Sequence, residues 1–143
     1  MLRKSLLPLL ALALPAFAYE PITLPVIPSD PAIEKKVSET LSRMTLDEKI
    51  GQMTQIQLDI LGENGPDGFR LVQAKLDTIF GVYKVGSILN APYSYCLDAE
   101  AWNVVIPQIQ EASMKYMGIP CIYGLDQNHG TTYTNGGTLF PQN

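Results

Sequence analysis

The sequence holds a single histidine, His129, and only two cysteines, Cys96 and Cys121. That inventory is too thin for a zinc site or a disulfide framework. Both cysteines read as free thiols, Cys121 because it lies in an apolar run where a buried thiol packs as a small hydrophobe. Glycines crowd residues 124–137, but no Gly-Lys-Ser/Thr accompanies them and the last lysine is Lys115, which excludes a phosphate-cradling loop. A Gly-x-Ser-x-Gly nucleophile elbow is absent, and no serine has a histidine nearby. Basic residues are scarce. The formal net charge is −4, and with Arg3 and Lys4 set aside the 10 basic residues become 8 against 14 acidic, a balance of −6. Nucleic acid and anionic membrane both require basic patches, so neither is expected as a partner. No cofactor signature is present, and none is expected.

What is present is the composition of a core-forming chain: 143 residues, 46% hydrophobic and 17% charged, about one modest domain. The first 18 residues read as a secretory signal peptide. Arg3 and Lys4 form its charged end, Leu6 to Leu14 its apolar stretch, and Ala16-Phe17-Ala18 an A-x-A cleavage site. The apolar stretch is well short of the ~20 residues that a membrane-spanning helix needs, and Pro8 and Pro15 interrupt it. A secreted or periplasmic protein beginning after Ala18 is expected, with no membrane partner once the leader is cleaved.

Residues 19–28 carry Pro21, Pro25 and Pro28 and read as an extended arm. Ser29 or Asp30 then caps a helix with Pro31 at its first position, and Ile33, Val37, Leu41 and Met44 form its apolar stripe. Thr45-Leu-Asp-Glu48 is a capping box opening a second helix over 45–57, in which Gly51 permits close packing. Residues 62–68 read as a loop, 70–80 as a helix stopped by Gly81, and Val85–Asn90 as a first buried strand. Asp98 caps a long helix to about Met117, with a kink or restart expected at Pro107. Residues 120–124 form the second strand. Strand, helix, strand makes a βαβ unit with two parallel neighbours, and a parallel sheet needs more strands and covering helices than two. The pattern is that of the opening portion of a larger α/β domain.

The centre of interest is Pro120-Cys-Ile-Tyr-Gly-Leu-Asp126-Gln-Asn-His129-Gly130. An apolar run ends at a glycine, and a carboxylate follows. This is how a core strand of an α/β protein delivers a functional group at its C-terminal end. Glu34, Glu39, Asp47, Glu48, Asp77, Glu100 and Glu111 are accounted for by helix faces and caps, whereas Asp126 is not. It is either a turn aspartate bonded to local backbone amides or a ligand-holding carboxylate. His129, alone beside a glycine, reads as structural rather than catalytic. The neutral segment beyond Asp126, rich in hydroxyls and carrying Tyr133 and Phe140, suits an uncharged polar ligand such as a sugar.

At these residues the chain resembles glycoside hydrolase family three, the β-glucosidase and exo-β-glucanase group. The resemblance rests on Arg43-Met-Thr-Leu-Asp-Glu-Lys-Ile-Gly-Gln-Met53, on Val85-Gly-Ser-Ile-Leu-Asn90, and on Gly118 to Gly130 continuing through Thr138-Leu-Phe-Pro141. It implies an α/β fold, with residues 19–143 as the N-terminal portion of a TIM-type (β/α)8 barrel of ~250 residues. It implies that Asp126 is substrate-binding, taking sugar hydroxyls in the −1 subsite, where a carboxylate makes charge-assisted hydrogen bonds. The implied substrate is an oligosaccharide or β-glucoside with a terminal non-reducing glucosyl unit. Retaining hydrolysis needs two carboxyl groups ~5 Å apart. The family's nucleophilic aspartate and acid/base glutamate correspond to positions later than Asn143, so no residue here takes a catalytic role. A non-catalytic carbohydrate-binding protein and an inactive truncated product are the competing readings.

Overall fold

A computed structural model describes residues 28–92, 96–127 and 129–141; the leader and all but the last residue of the arm expected over 19–28 lie outside them. The first helix, α1 (Pro31–Arg43), starts as its sequence requires, with the Asp30 side chain accepting a hydrogen bond from the Ala32 amide at 2.8 Å. None of its residues is buried, and its stripe of Ile33, Val37 and Leu41 remains exposed. The capping box opens α2 (Leu46–Gln52): the Glu48 amide donates to Thr45 Oγ1, and Glu48 Oε2 accepts from the Thr45 amide. These bonds hold the Glu48 carboxyl below its ordinary range, the Thr45 backbone amide most strongly.

The expected helix over 45–57 is half its predicted length. It stops at Gln52, and Gln55–Gln57 is a strand, β1. Glycine contacts explain the stop. Gly51 is buried, and a Cβ there would overlap the Tyr83 carbonyl oxygen; one at Gly86 would overlap the Gln52 carbonyl oxygen. The Gly86 amide donates to the Gly51 carbonyl at 2.9 Å, so the end of α2 is welded to the start of the next strand. The close packing expected at Gly51 is therefore present.

A helical turn (Leu58–Leu61) follows β1. The stretch expected as a loop over 62–68 is an antiparallel hairpin of β2 (Gly62–Gly65) and β3 (Gly68–Leu71), turning at Pro66-Asp67, with Gly68 at a φ of 104°. The expected helix over 70–80 starts late, because Arg70 and Leu71 pair in the hairpin. It comprises α3 (Gln73–Leu76) running into a wider π-type turn, Asp77–Val82. Asp77 is more than a solvated face residue. It accepts from the Tyr116 hydroxyl at 2.6 Å and from Gln73 at 2.7 Å, and these bonds, Tyr116's first, lower its carboxyl from the ordinary value.

The strand read at 85–90 is β4 (Ser87–Leu89), and the long helix is α4 (Ala99–Met117), capped by the Asp98 side chain and closed by Gly118 at a φ of 66°. Pro107 neither breaks nor restarts α4; it sits exposed within a continuous helix. The last strand is β5 (Ile122–Gly124). Its entry is fixed by the Gln110 side chain, which accepts from the Cys121 amide at 3.0 Å and donates to the Cys121 carbonyl at 2.8 Å.

The sheet is parallel and has three strands in the order β1-β4-β5, one more than the two expected. Its register explains the core. Ile56, Ile88 and Tyr123 align across the strands on the face turned to the helices, where Phe80, Leu58, Leu61 and Ile109 are fully buried. Gln55, Ser87 and Ile122 align on the other face, where Gln55 and Ile122 are exposed. All three strands end on one edge, so the residues after Gln57, Leu89 and Gly124 are neighbours in space.

Cys96 is exposed and Cys121 buried, and both are free thiols, as expected. Burial pushes the Cys121 thiol up to about 11, which removes its thiolate at neutral pH. In unreduced protein, a thiol reagent should therefore label Cys96 rapidly and Cys121 only after denaturation. Absence of any labelling in denaturant would instead indicate a disulfide.

Candidate functional site

Asp126 lies two residues beyond β5, on the edge where the parallel strands end, and its side chain is exposed. Among the described residues no local backbone amide is bonded to its carboxylate, as one would be in a simple turn aspartate. Its partner among the described residues is Asn90, which follows β4 directly and is 36 residues away in sequence. The Asn90 side-chain amide grips it twice. Asn90 Nδ2 donates to Asp126 Oδ2 at 3.2 Å, and the Asp126 backbone amide donates to Asn90 Oδ1 at 3.1 Å. The Asp126 carbonyl in turn accepts from the Thr132 hydroxyl at 2.8 Å. Backbone and carboxylate are thus both anchored on a residue whose side chain is exposed.

Asn90 is held just as closely. Its φ is 61°, a left-handed conformation that Asn tolerates better than most side chains. Its amide donates to the Gly124 carbonyl at 2.8 Å, extending the ladder by one residue, and its carbonyl accepts from the Tyr123 hydroxyl at 2.5 Å. Burial pushes the Tyr123 hydroxyl well above its ordinary value, so it remains a donor. Trp102 of α4 packs edge-on against the Tyr123 ring with centroids 5.6 Å apart, and Trp102 Nε1 donates to the Thr134 hydroxyl at 3.2 Å. Reading the residues alone missed Asn90 as part of the site. The available signal was an Asn directly after an apolar strand, at the same edge as Asp126.

The segment after Asp126 folds back as a narrow loop. Gly130 and Leu139 form an antiparallel bridge, and the Thr131 amide donates to the Thr138 carbonyl at 2.7 Å. Gly130 has a φ of 89°, and a Cβ on it would overlap the Thr138 carbonyl oxygen and approach the Phe140 ring to 2.8 Å. Only glycine fits there. His129 enters through its carbonyl, which accepts from the Phe140 amide at 2.9 Å. The loop docks on the start of α4, where the Asn135 amide donates to the Leu97 carbonyl at 2.9 Å. Tyr133 and Phe140 stay exposed, and residues 127–141 include no Lys, Arg, Asp or Glu.

The arrangement is a single anchored carboxylate on a neutral surface of amides, hydroxyls and aromatic rings. It can accept hydrogen bonds from neighbouring hydroxyls of an uncharged ligand. The side chain bonded to the Asp126 carboxylate is, among the described residues, the amide of Asn90 and not a second carboxyl. Among the described residues, no group of three or more His, Cys, Asp and Glu side chains could hold a metal ion, and no helix is long and apolar enough to cross a membrane. An apolar groove between α1 and α2 is lined by Val37, Leu41, Met44, Met53 and Ile119. It lies near the start of β5, at the opposite edge from Asp126.

The chain is similar to known proteins in sequence and in fold. Residues 45–143 match the family described as glycosyl hydrolase family 3 N terminal domain. The chain is 36% identical over 116 residues to a protein named lysosomal beta glucosidase from Dictyostelium discoideum, covering 75% of this chain and 14% of that protein. Two solved structures, of the exo-1,3/1,4-beta-glucanase from a Pseudoalteromonas species and of a point mutant of it, superpose with a TM-score of 0.62 at 28% identity. Each match covers 82% of this chain, and 14% and 18% respectively of the two solved chains. The chain therefore spans less than a fifth of the length of these relatives.

Proposed function

The chain belongs to glycosyl hydrolase family 3, matching its N-terminal domain, and from that premise we propose that the full-length protein is a retaining, exo-acting β-glucosidase. It removes terminal non-reducing β-D-glucosyl residues, and this segment, the N-terminal part of the barrel over residues 19–143, supplies part of the −1 sugar subsite through Asp126. The observation that carries the reading is the position of Asp126. It stands exposed at the C-terminal edge of a parallel sheet, the edge where α/β barrels gather their active-site groups, and it is oriented by a neighbouring strand end. The names of the relatives, a beta glucosidase and an exo-1,3/1,4-beta-glucanase, support the substrate class.

Asp126 takes two sugar hydroxyls in this reading and is neither nucleophile nor acid/base. Contacts to ring hydroxyls strengthen as the sugar flattens toward an oxocarbenium ion, so they contribute more in the transition state than in the ground state. Residues 1–18 act as a signal peptide that directs the protein to a secreted or periplasmic location, in keeping with the lysosomal location in the name of the Dictyostelium relative. The test is to incubate the full-length protein with an aryl β-glucoside and a short β-glucan and follow the first product by proton NMR. β-Glucose should appear before its anomer, released from the non-reducing end. First release of α-glucose would overturn the retaining assignment, internal cleavage the exo assignment, and binding without turnover would indicate a carbohydrate-binding protein.

A further inference from the structure

We infer that Asn90 is a positioning residue for the sugar-holding carboxylate, setting the direction in which Asp126 presents its oxygens; this rests on the reading of Asp126 as a substrate-binding group. An exposed aspartate on a loop has free χ1 and χ2 rotation, and each bond to a sugar hydroxyl would have to overcome that freedom. Asn90 removes it from both ends. Nδ2 holds one carboxylate oxygen at 3.2 Å and Oδ1 holds the Asp126 amide at 3.1 Å, so the side chain is locked relative to its own backbone.

Asn suits this position for a chemical reason. One donor and one acceptor are needed on the same side chain, within reach of a carboxylate and a backbone amide of one residue. Asp would supply the acceptor but set a like charge against Asp126. Ser would reach only one of the two groups. The backbone of residue 90 must also adopt a φ of 61°, which disfavours β-branched and bulky residues.

Asn90 itself rests on rigid elements. Its amide bonds Gly124 of β5, its carbonyl takes the Tyr123 hydroxyl, and Tyr123 is wedged against Trp102 of α4. Sites held by strands and backed by packed side chains keep their geometry better than sites on loops alone. A displacement of about 1 Å in a substrate-positioning group can cost on the order of 100-fold in rate.

The test is a double-mutant cycle in the full-length protein, read as kcat/KM for an aryl β-glucoside. Asn90→Gly removes the side chain while accepting the positive φ, and the backbone bonds to Gly124 and Tyr123 remain. It should lower kcat/KM by about 10- to 100-fold, with a thermal midpoint close to that of the parent protein. In an Asp126→Ala background the same change should cost less than about 3-fold, because the group it orients is gone. Asn90→Asp, nearly isosteric and so a safeguard if the glycine variant folds poorly, should show the same pattern. Monodeoxy glucosides supply a readout that a merely structural role would not move. The analogue most penalised by the parent enzyme should be penalised less by Asn90→Gly.

Additive losses in the cycle, or an unimpaired Asn90→Gly enzyme beside an impaired Asp126→Ala enzyme, would overturn the role of Asn90 and leave the sugar-binding reading of Asp126 standing. An unimpaired Asp126→Ala enzyme would overturn both.

Discussion

Asp126→Ala in the full-length protein is expected to lower kcat/KM for an aryl β-glucoside by at least about 100-fold. A hydrogen bond to a charged group is worth ~1.5–3 kcal/mol, and an exposed carboxylate can take two hydroxyls of one sugar. Losing two such bonds removes ~3 kcal/mol or more of transition-state binding, at ~1.4 kcal/mol per tenfold. The fall should show in kcat as well as in KM, since these contacts tighten as charge develops on the ring. A covalent glycosyl intermediate should still form and be visible by intact-protein mass, because in the proposed reading Asp126 is not the nucleophile. Asp126→Asn is the informative companion. It keeps shape and one acceptor but loses the charge, and it should fall between the parent and the alanine variant. Unchanged kcat/KM in Asp126→Ala would remove Asp126 from the sugar site.

A polypeptide restricted to residues 28–141 is expected to show helical circular dichroism without a sharp unfolding transition, and to bind a hydrophobic dye. The reason lies in the surfaces it leaves bare. Along α1, Ile33, Val37 and Leu41 are 57%, 46% and 47% exposed; Met53 reaches 87%, Val82 68% and Ile122 70%. Among the described residues β1 and β5 are both edge strands, and the face of the sheet carrying Gln55 and Ile122 has no covering layer. Parallel sheets are stable when both faces are covered, and open edges invite pairing with other chains. Net stability is only ~5–15 kcal/mol even for complete domains, so unburied apolar surface on this scale outweighs the central cluster around Phe80 and Ile88. The capped helices α1, α2 and α4 account for the residual helical signal. A sharp, cooperative thermal transition with no dye binding would show that the core already present is sufficient.

Much of this structure was legible because it is local. Asp30, the Thr45–Glu48 capping box, Asp98 and Gly118 each act within a turn of their own helix, so a window of a few residues contains donor and acceptor together. The same holds for the apolar runs that became β4 and β5, and for Asp126, whose place after a strand stop marked it out from the other acidic residues. The resemblance to family-three glycoside hydrolases rested on those same segments.

Other features were decided only in three dimensions. β1 reads Gln-Ile-Gln, which carries no strand signal; it is a strand because its backbone completes the edge of β4 and because the Gly51 and Gly86 contacts end α2 before it. β2 (Gly-Glu-Asn-Gly) is short and polar and β3 (Gly-Phe-Arg-Leu) is no longer, and they pair with each other while Phe69 and Leu71 pack against the core. α3 opens into a π-type turn where Tyr116 of α4 bonds Asp77 and packs against Gly81. The continuous path of α4 through Pro107 is likewise a tertiary outcome, since burial of Val105, Ile109 and Ala112 outweighs one missing backbone donor. Asn90 and Asp126 are separated by 36 residues in the chain and meet only because β4 and β5 are parallel neighbours whose ends lie side by side. The position of the carboxylate follows from local sequence; the direction in which it points is set by a residue on another strand, through contacts that exist only once the sheet has formed.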